Sequence, residues 1–258
     1  MDQIKLTFLG TGTSQGVPVI ACPCAVCNSD DVCDKRLRCS ALVQVDGKNI
    51  LIDSGPDFRQ QMLRADIKQL DAILFTHGHK DHTAGLDDVR AYNYVLQRPM
   101  DIYAEKRVQD VLRQEFAYIF ADTKYPGVPE LDMYTIDETP FTIDTISVIP
   151  IRVMHMYLPI LGFRIGRLAY LTDANNISEN EIDKLRGLDC FVVNGLRKDP
   201  HISHFTLQEA LTLIDIVKPS RAYITHISHQ MGLHQQVQAE LPSNVFLAYD
   251  GLEIMVND

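Results

Sequence analysis

Seven consecutive residues, Thr76-His77-Gly78-His79-Lys80-Asp81-His82, carry most of the information about fold and function. Thr76 ends a short apolar segment, residues 72–76, that is typical of a buried strand, and the histidines follow it directly. In an extended backbone His77 and His79 lie on the same side, because side chains alternate with a period of two. A turn at Asp81 then lets His82 face the same cavity from the start of the next helix. Imidazole and carboxylate groups at this density suit zinc, manganese or iron. We therefore predict a metal site rather than a solvated polar loop without a ligand.

Three further residues of ligand type stand at or just beyond the ends of predicted strands. His155 follows a strand expected over residues 145–151, Asp173 follows one over 168–172, and His226 follows one over 221–225. Open α/β sheets gather their sites at the carboxyl ends of strands. A single such residue is more often a cap or a turn residue, but three together with the histidine loop favour ligation.

The rest of the pattern predicts a layered α/β domain with sheet inside and helices outside. Further strands are expected over residues 4–9, 41–45, 49–53, 161–165, 190–194, 245–248 and 252–256, and helices over 56–64, 86–96, 106–120 and 233–240. Two capping boxes, Ser178 with Glu181 and Thr206 with Glu209, mark two more helix starts. Because no linker or repeat divides the chain, we expect a single domain over residues 1–258.

Composition restricts the partners of the protein. The chain has 258 residues, 46% of them hydrophobic and 22% charged, which is an ordinary globular composition. Its 24 basic and 34 acidic side chains give a formal charge of −10, which argues against nucleic acid as a partner. The sequence shows no apolar secretory region and no segment that would cross a membrane, so a cytoplasmic location without membrane contact is expected. A homodimer is the default assembly, because dimers are the commonest one.

A second metal site is predicted from Cys22-Pro23-Cys24-Ala25-Val26-Cys27. The fourth ligand could be His229, three residues beyond His226. Three cysteines and one histidine complete a tetrahedral shell of the kind found at structural zinc sites, and free thiols or a redox pair are the alternatives. Such a site would join the loop after the first strand to the loop that carries His226. Cys39 and Cys190 are expected to be buried apolar thiols.

These residues together resemble the metallo-β-lactamase superfamily. The match rests on the His77-x-His79-x-Asp81-His82 motif and its three remote partners, supported by Gly10-Thr11-Gly12-Thr13 and Asp53-Ser54-Gly55. The resemblance implies an αββα sandwich and a dinuclear metal centre over nearly the whole chain. It assigns the ligands to two sets and one bridging residue: His77, His79 and His155; Asp81, His82 and His226; and Asp173. True lactamases usually have Cys at the position of Asp173, and flavodiiron proteins have Glu at that of His79, so both activities are disfavoured.

Within the superfamily, the sequence is most similar to the phosphodiesterase branch of bacterial phosphonate breakdown. The similarity rests on the cysteine run and three loops: Gly12-Thr13-Ser14-Gln15-Gly16-Val17-Pro18, Thr225-His226-Ile227-Ser228-His229-Gln230 and Asp250-Gly251-Leu252-Glu253-Ile254. That branch opens phosphoribosyl 1,2-cyclic phosphate at a dinuclear metal centre beside a structural zinc. The resemblance therefore implies a small anionic substrate, a cyclic sugar phosphodiester. The match is weaker over residues 91–144, where we expect substrate selectivity to lie.

The expected reaction is hydrolysis by a hydroxide that two divalent ions, zinc, manganese or iron, generate near neutral pH. Asp81 is expected to accept a proton from the attacking water. The resemblance implies that His204 is the general acid, although His204 could instead cap or pack at the next helix, and His201 is a nearby rival. The alternatives are a hydrolase of carboxylic esters, lactones or thioesters, an RNA 3′-end nuclease, and a metal-binding protein without catalysis.

Overall fold

Most strands carry apolar side chains on both faces, and this pattern determines how the layers pack. In the strand Ile4–Gly10, Leu6 and Phe8 face the interior between two sheets, whereas Leu9 faces an outer helical layer. Residues 41–45 alternate in the same way, with Leu42 facing outward and both of its neighbours facing inward. Both faces of these sheets are therefore covered, as the two-sided apolar pattern requires.

The first sheet contributes the histidine loop. The structure is a computed structural model that describes residues 3–257. Its first sheet contains β1 (Ile4–Gly10), β2 (Ser40–Val45), β3 (Lys48–Ile52), β4 (Ala72–Leu74), β5 (Met100–Ala104), β6 (Leu131–Thr135) and β15 (Glu253–Val256). The strand order is β15-β1-β2-β3-β4-β5-β6, and β3 to β6 run parallel to one another. Met1, Asp2 and Asp258 belong to the predicted domain but lie outside the described residues.

The second sheet contributes the remote ligand candidates. It contains β7 (Phe141–Ile143), β8 (Ile146–His155), β9 (Leu158–Ile165), β10 (Leu168–Tyr170), β11 (Asn176–Ile177), β12 (Cys190–Asn194), β13 (Arg221–Thr225) and β14 (Val245–Leu247). The main order is β11-β8-β9-β10-β12-β13-β14, and β7 pairs with β8 off this path. Because β8, β10, β12 and β13 point the same way, their carboxyl ends meet at one edge.

Helices cover the outer faces of both sheets. They are α1 (Phe58–Arg64), α2 (Lys80–Thr83), α3 (Arg90–Leu96), α4 (Lys106–Glu115), α5 (Glu179–Asp183), α6 (Leu207–Val217) and α7 (His234–Glu240), with 3-10 turns at Val32–Asp34, Leu86–Val89, Ala117–Ile119 and His229–Met231. Side chains of α1, α3 and α4 pack on the first sheet, and those of α6 and α7 pack on the second. The predicted αββα sandwich is confirmed.

Several predicted boundaries are wrong. The strand expected to end at residue 151 continues to His155, which pairs with Leu158 across a tight hairpin. The helix expected over residues 86–96 begins as a 3-10 turn, and the one expected over 106–120 ends at Glu115. Strands β5, β6, β7 and β11 were not predicted.

One of the two capping boxes forms and the other does not. Thr206 and Glu209 exchange both bonds, with the Glu209 N–H donating to Thr206 Oγ1 at 3.2 Å. The helix start predicted at Ser178 is confirmed, because Ser178 is the N-cap of α5, but the predicted capping bond of its side chain is absent. The carboxylate of Glu181 instead accepts the N–H of Arg152 in β8 at 2.8 Å. Among residues 3–257, none of the helices combines the length and the apolar character needed to span a bilayer.

Candidate metal centre

The candidate centre lies where both sheets present the carboxyl ends of strands. The histidine loop follows β4 in the first sheet and continues into α2. From the second sheet, His155 is the last residue of β8, Asp173 lies three residues beyond β10, and His226 directly follows β13. The fold therefore collects residues that are up to about 150 positions apart in the chain, as the strand-end argument predicts.

The ligand candidates form two groups that meet at Asp173. In each group the ligand atoms lie within 4.8 Å of one another: His77, His79 and His155 form one, and Asp81, His82, Asp173 and His226 form the other. Asp173 Oδ2 lies 3.2 Å from His82 Nε2, and its Oδ1 lies 3.1 Å from His226 Nε2. Asp173 also groups with His155 and His204. Its carboxylate thus lies between the two sets, where a bridging ligand would have to be.

The donor atoms fit divalent metal ions. Within the described residues, Nε2 of His77, Nε2 of His82 and both ring nitrogens of His226 are buried without a well-formed hydrogen bond. A buried polar atom without a partner costs about 1–3 kcal/mol, so several of them in one place call for a bound partner such as an ion. Imidazole and carboxylate ligands suit zinc, manganese and iron.

Residues behind the centre fix the orientation of its histidines. His82 Nδ1 lies 2.7 Å from Asp53 Oδ2, and this contact directs Nε2 toward the centre. Asp53 also accepts the N–H and the hydroxyl of Thr76, both at 2.8 Å. His155 Nδ1 lies 2.8 Å from the carbonyl oxygen of Ser203. In the sequence, Asp53 stands out only as part of a family motif. Its place at the end of the strand predicted over residues 49–53 was the one sign that it could orient a ligand.

Three residues of the site have left-handed backbones. The φ angles are 62° at Asp53, 57° at Asp173 and 54° at His226. Such conformations are unfavourable for residues other than glycine by about 1–2 kcal/mol and concentrate at functional sites. Here each one lies just beyond a strand, where the turn directs Asp173 and His226 into the centre and Asp53 toward His82 behind it.

Charges inside the centre are strongly coupled. Burial opposes ionisation of Asp173, but His226 and His82 outweigh it and hold the pKa of this carboxyl well below its usual range. Burial also opposes ionisation of Asp81, and His82 with His226 again lowers its pKa. Burial lowers the pKa of His77 well below the ordinary value, which keeps the ring neutral and able to bind a metal. The carboxylates are thus charged and His77 is neutral, as metal ligands must be.

His204 lies over the centre. Its Nε2 is 3.0 Å from Asp173 Oδ1, and its ring stacks on that of His226 with centroids 4.9 Å apart. Burial lowers the pKa of His204 to about 4, although the bond to Asp173 opposes this shift. His201 lies behind it, with the two Nδ1 atoms 3.1 Å apart, and belongs to none of the ligand groups among residues 3–257.

The predicted cysteine site also comes together. The ligand atoms of Cys22, Cys24, Cys27 and His229 lie within 4.8 Å of one another, and His229 Nδ1 is 3.4 Å from Cys22 Sγ and 3.3 Å from Cys24 Sγ. The contact with His229 lowers the pKa of Cys24 to about 6.

The cysteine site is linked to the candidate centre through the loop after β13, because His229 is three residues beyond His226. The Ile227 N–H donates to the Thr11 carbonyl at 2.8 Å, so the segment that follows β1 and leads to the cysteines is held next to His226. Cys39 and Cys190 are buried, as expected.

Fold and site together define the class of protein. Residues 48–227 match the family model described as the beta-lactamase superfamily domain, and the chain belongs to this superfamily. More particularly, it is similar to a crystal structure described as a new diphosphatase from the PhnP family, with 41% identity and a TM-score of 0.92 over 98% of this chain and 97% of that one. This similarity agrees with the phosphodiesterase branch that the sequence motifs indicate.

More distant structures share the fold alone. Zinc-bound PqqB from Methylobacterium extorquens superposes with a TM-score of 0.78 at 20% identity, covering 97% of this chain and 99% of that one. The short form of human tRNase Z gives a TM-score of 0.74 at 20% identity, covering 98% of this chain and all of the other.

Curated relatives carry several different names. An octanoyltransferase of Porphyromonas gingivalis is 42% identical over 258 residues, which make up 99% of this chain and 52% of that protein. A ribonuclease Z of Bradyrhizobium sp. is 33% identical over 153 residues, covering 56% of this chain and 45% of that protein. The chain spans about half the length of the curated relatives it matches.

Proposed function

We propose that the protein is a metal-dependent phosphodiesterase that hydrolyses a small anionic phosphodiester. The observation that carries this proposal is the position of Asp173, whose two oxygens face the ligand atoms of His82 and His226 while its carboxylate also groups with His155. Such an arrangement suits two adjacent cations. The similarity to the PhnP-family diphosphatase and to ribonuclease Z supports chemistry on phosphate esters.

Each proposed ion has its own ligands. His77, His79 and His155 would hold one ion, Asp81, His82 and His226 would hold the other, and Asp173 would bridge them. Bound divalent ions supply an acidified water and positive charge near the phosphoryl oxygens. Zinc, manganese and iron all suit this donor set, and a separate structural zinc would be held by Cys22, Cys24, Cys27 and His229.

Two residues of the chain are proposed to move protons. The side chain of Asp81 is 11% exposed, and its carboxylate accepts a proton from the attacking water. His204 reaches the centre from the opposite sheet and donates a proton to the leaving alkoxide. This donation requires a raised pKa, which an anionic diester bound against the ring provides. The position of His201 behind His204 supports the choice of His204.

The substrate that the resemblance implies is a cyclic sugar phosphodiester such as phosphoribosyl 1,2-cyclic phosphate. An RNA substrate suits the chain less well, because its formal charge of −10 repels a polyanion. A second candidate is hydrolysis of a carboxylic ester or thioester. The similarity to an octanoyltransferase favours it, although the chain covers only 52% of that protein.

The test is hydrolysis of methyl 4-nitrophenyl phosphate by protein reconstituted separately with zinc, manganese and iron. We expect metal-dependent turnover, its loss in Asp81→Ala, and a decrease of about 10²–10⁴-fold in His204→Ala on a diester with an alkyl leaving group. An octanoyl thioester is assayed in parallel. Turnover of the thioester without turnover of any diester would overturn the phosphodiesterase proposal in favour of the second candidate.

A further inference from the structure

A pocket of ≈ 190 Å³ adjoins the candidate centre. It is lined chiefly by His77, His79, Arg107, Val108, Val111 and Leu158. His77 and His79 are also ligand candidates, so the pocket and the centre share two walls. The remaining walls come from α4 and from the start of β9. A group held in this pocket would thus lie next to a phosphodiester held at the centre.

The pocket depends on close packing of α4 against the histidine loop. A Cβ atom placed on Gly78 would lie 3.2 Å from Val111 Cγ2, which is closer than ordinary van der Waals contact. The absence of a side chain at residue 78 therefore lets α4 approach the loop and sets Val111 beside the two histidines. The loop backbone at Gly78 and the stiff, β-branched side chain of Val111 fix this placement, so Val111 forms a rigid wall of the pocket.

The charge of Arg107, the cation among the residues that line the pocket, is neutralised by an ion pair. The guanidinium of Arg107 is paired with the carboxylate of Glu105. Arg152 holds the other side of that carboxylate, with Nη2 2.6 Å from Glu105 Oε1. Arg107 is therefore fixed toward Glu105, and the inner walls are left to Val108, Val111 and Leu158.

We propose that this pocket binds a compact apolar group, about the size of one aromatic ring, that is carried by the substrate. This inference rests on the proposed function, because it names a substituent of the phosphodiester that the centre would hydrolyse. The aliphatic walls offer no hydrogen-bond partner to hydroxyl groups, so the sugar of a cyclic sugar phosphodiester would lie outside this pocket and a separate apolar substituent would enter it. An apolar cavity of about 150 Å³ holds benzene, which sets the size of the occupant. The walls on α4 also lie in the segment where we expected selectivity.

The test measures binding without requiring turnover. Metal-loaded protein is titrated calorimetrically with phenylphosphonate and with methylphosphonate, which present the same anion to the centre and differ in the apolar group. We expect phenylphosphonate to bind about 10- to 100-fold more tightly, as burial of one ring predicts. Val111→Trp fills the pocket and should bring the ratio of the two dissociation constants close to one. Val95→Trp, the same change at an exposed position of α3, should leave the ratio unchanged.

A second variant covers the case in which Val111→Trp does not fold. Leu158→Ala removes one apolar wall and introduces no larger side chain that could disturb folding. It should lower the ratio of the two dissociation constants several-fold. Equal affinities of wild type for the two phosphonates, or an unchanged ratio in both pocket variants, would overturn the inference. Hydrolysis of methyl 4-nitrophenyl phosphate by the same samples tests the proposed function separately. A preserved phenyl preference without hydrolysis would refute the phosphodiesterase alone, and hydrolysis without the preference would refute the pocket alone.

Discussion

The hydroxyl of Thr172 donates a 2.6 Å hydrogen bond to Oδ2 of Asp173. Thr172 is itself buried, and its Oγ1 lies 3.7 Å from the sulfur of Cys39. That sulfur contacts the hydroxyl of Tyr170 at 3.1 Å and that of Thr225 at 3.4 Å. A buried chain of hydroxyl and thiol groups from three strand ends thus orients the carboxylate that lies between the two ligand sets.

Replacement of Thr172 should weaken metal binding. Thr172→Val keeps the shape of the side chain but removes the donor to Asp173, and loss of such an outer partner typically lowers metal affinity about 10- to 100-fold. Thr172→Ser keeps the hydroxyl and should bind metal nearly as wild type does. Titration against a chelator of known affinity measures the effect. Wild-type affinity in Thr172→Val would show that Asp173 needs no orienting donor.

Replacement of Gly55 should displace the histidine loop. A Cβ atom on Gly55 would lie 2.1 Å from the carbonyl oxygen of Asp81, so Gly55→Ala must push the backbone that carries two ligand candidates. We expect a loss of about 1–3 kcal/mol in unfolding free energy together with weaker metal binding. Gly47→Ala is the matched control, since its Cβ meets open space although its φ of 74° is unfavourable. Only the Gly55 variant should lose metal, as measured by metal content after dialysis.

Loss of the cysteine site should remove one metal ion and destabilise the fold. Cys24→Ser takes away one of the four ligands, and a structural zinc contributes directly to folding free energy. Purified variant should hold about one zinc fewer per chain and should unfold at a lower temperature. Cys33→Ser is the matched control, because Cys33 belongs to none of the ligand groups in residues 3–257. Equal zinc contents of the two variants would contradict the assignment.

Glu105 should make stability depend on acid pH. Burial raises the pKa of its carboxyl, but Arg152 and Arg107 outweigh burial and lower that pKa below its usual value. The unfolded chain therefore binds the proton more readily, and the stabilisation is present above about pH 4.5 and is lost as the pH falls through the folded value. Glu105→Gln should reduce the free energy of unfolding by roughly 1 kcal/mol at pH 7 and by progressively less as the pH falls below about 4.5. Urea unfolding at a series of acid pH values is the measurement, and a difference that does not shrink with falling pH would exclude this cause.

Local signals in the sequence predicted much of the fold and the list of ligand candidates. The strand over residues 190–194 has the predicted bounds, because four apolar residues in a row before Asn194 are typical of a strand buried on both faces. The end of β8 was missed because its hairpin turns at Met156, with φ of 57°, where the sequence has neither glycine nor asparagine. Glu181 does not complete the predicted capping box with Ser178, because its carboxylate accepts the backbone N–H of Arg152 in β8, 26 positions before Ser178.

Long-range partners could not be predicted in this way. Asp53 and His82 are 29 positions apart, and their contact depends on the parallel pairing of β3 with β4. Thr172 and Cys39 are brought together from opposite sheets, so no spacing in the chain indicates that they are neighbours. The sequence therefore predicts which ligand candidates come together better than it predicts which residues orient them.

The pairing of Cys22 with His229 spans 207 positions and has a consequence for how the protein matures. A ribosome makes the chain from its amino end, so three cysteines emerge long before the histidine that completes their set. A nascent chain that ends before His226 likewise has the whole first ligand set but lacks the last member of the second. Both sites can therefore be completed only after His226 and His229 have emerged, and a chain cut just before His226 would be expected to keep most of its sheets yet fail to retain its full complement of metal.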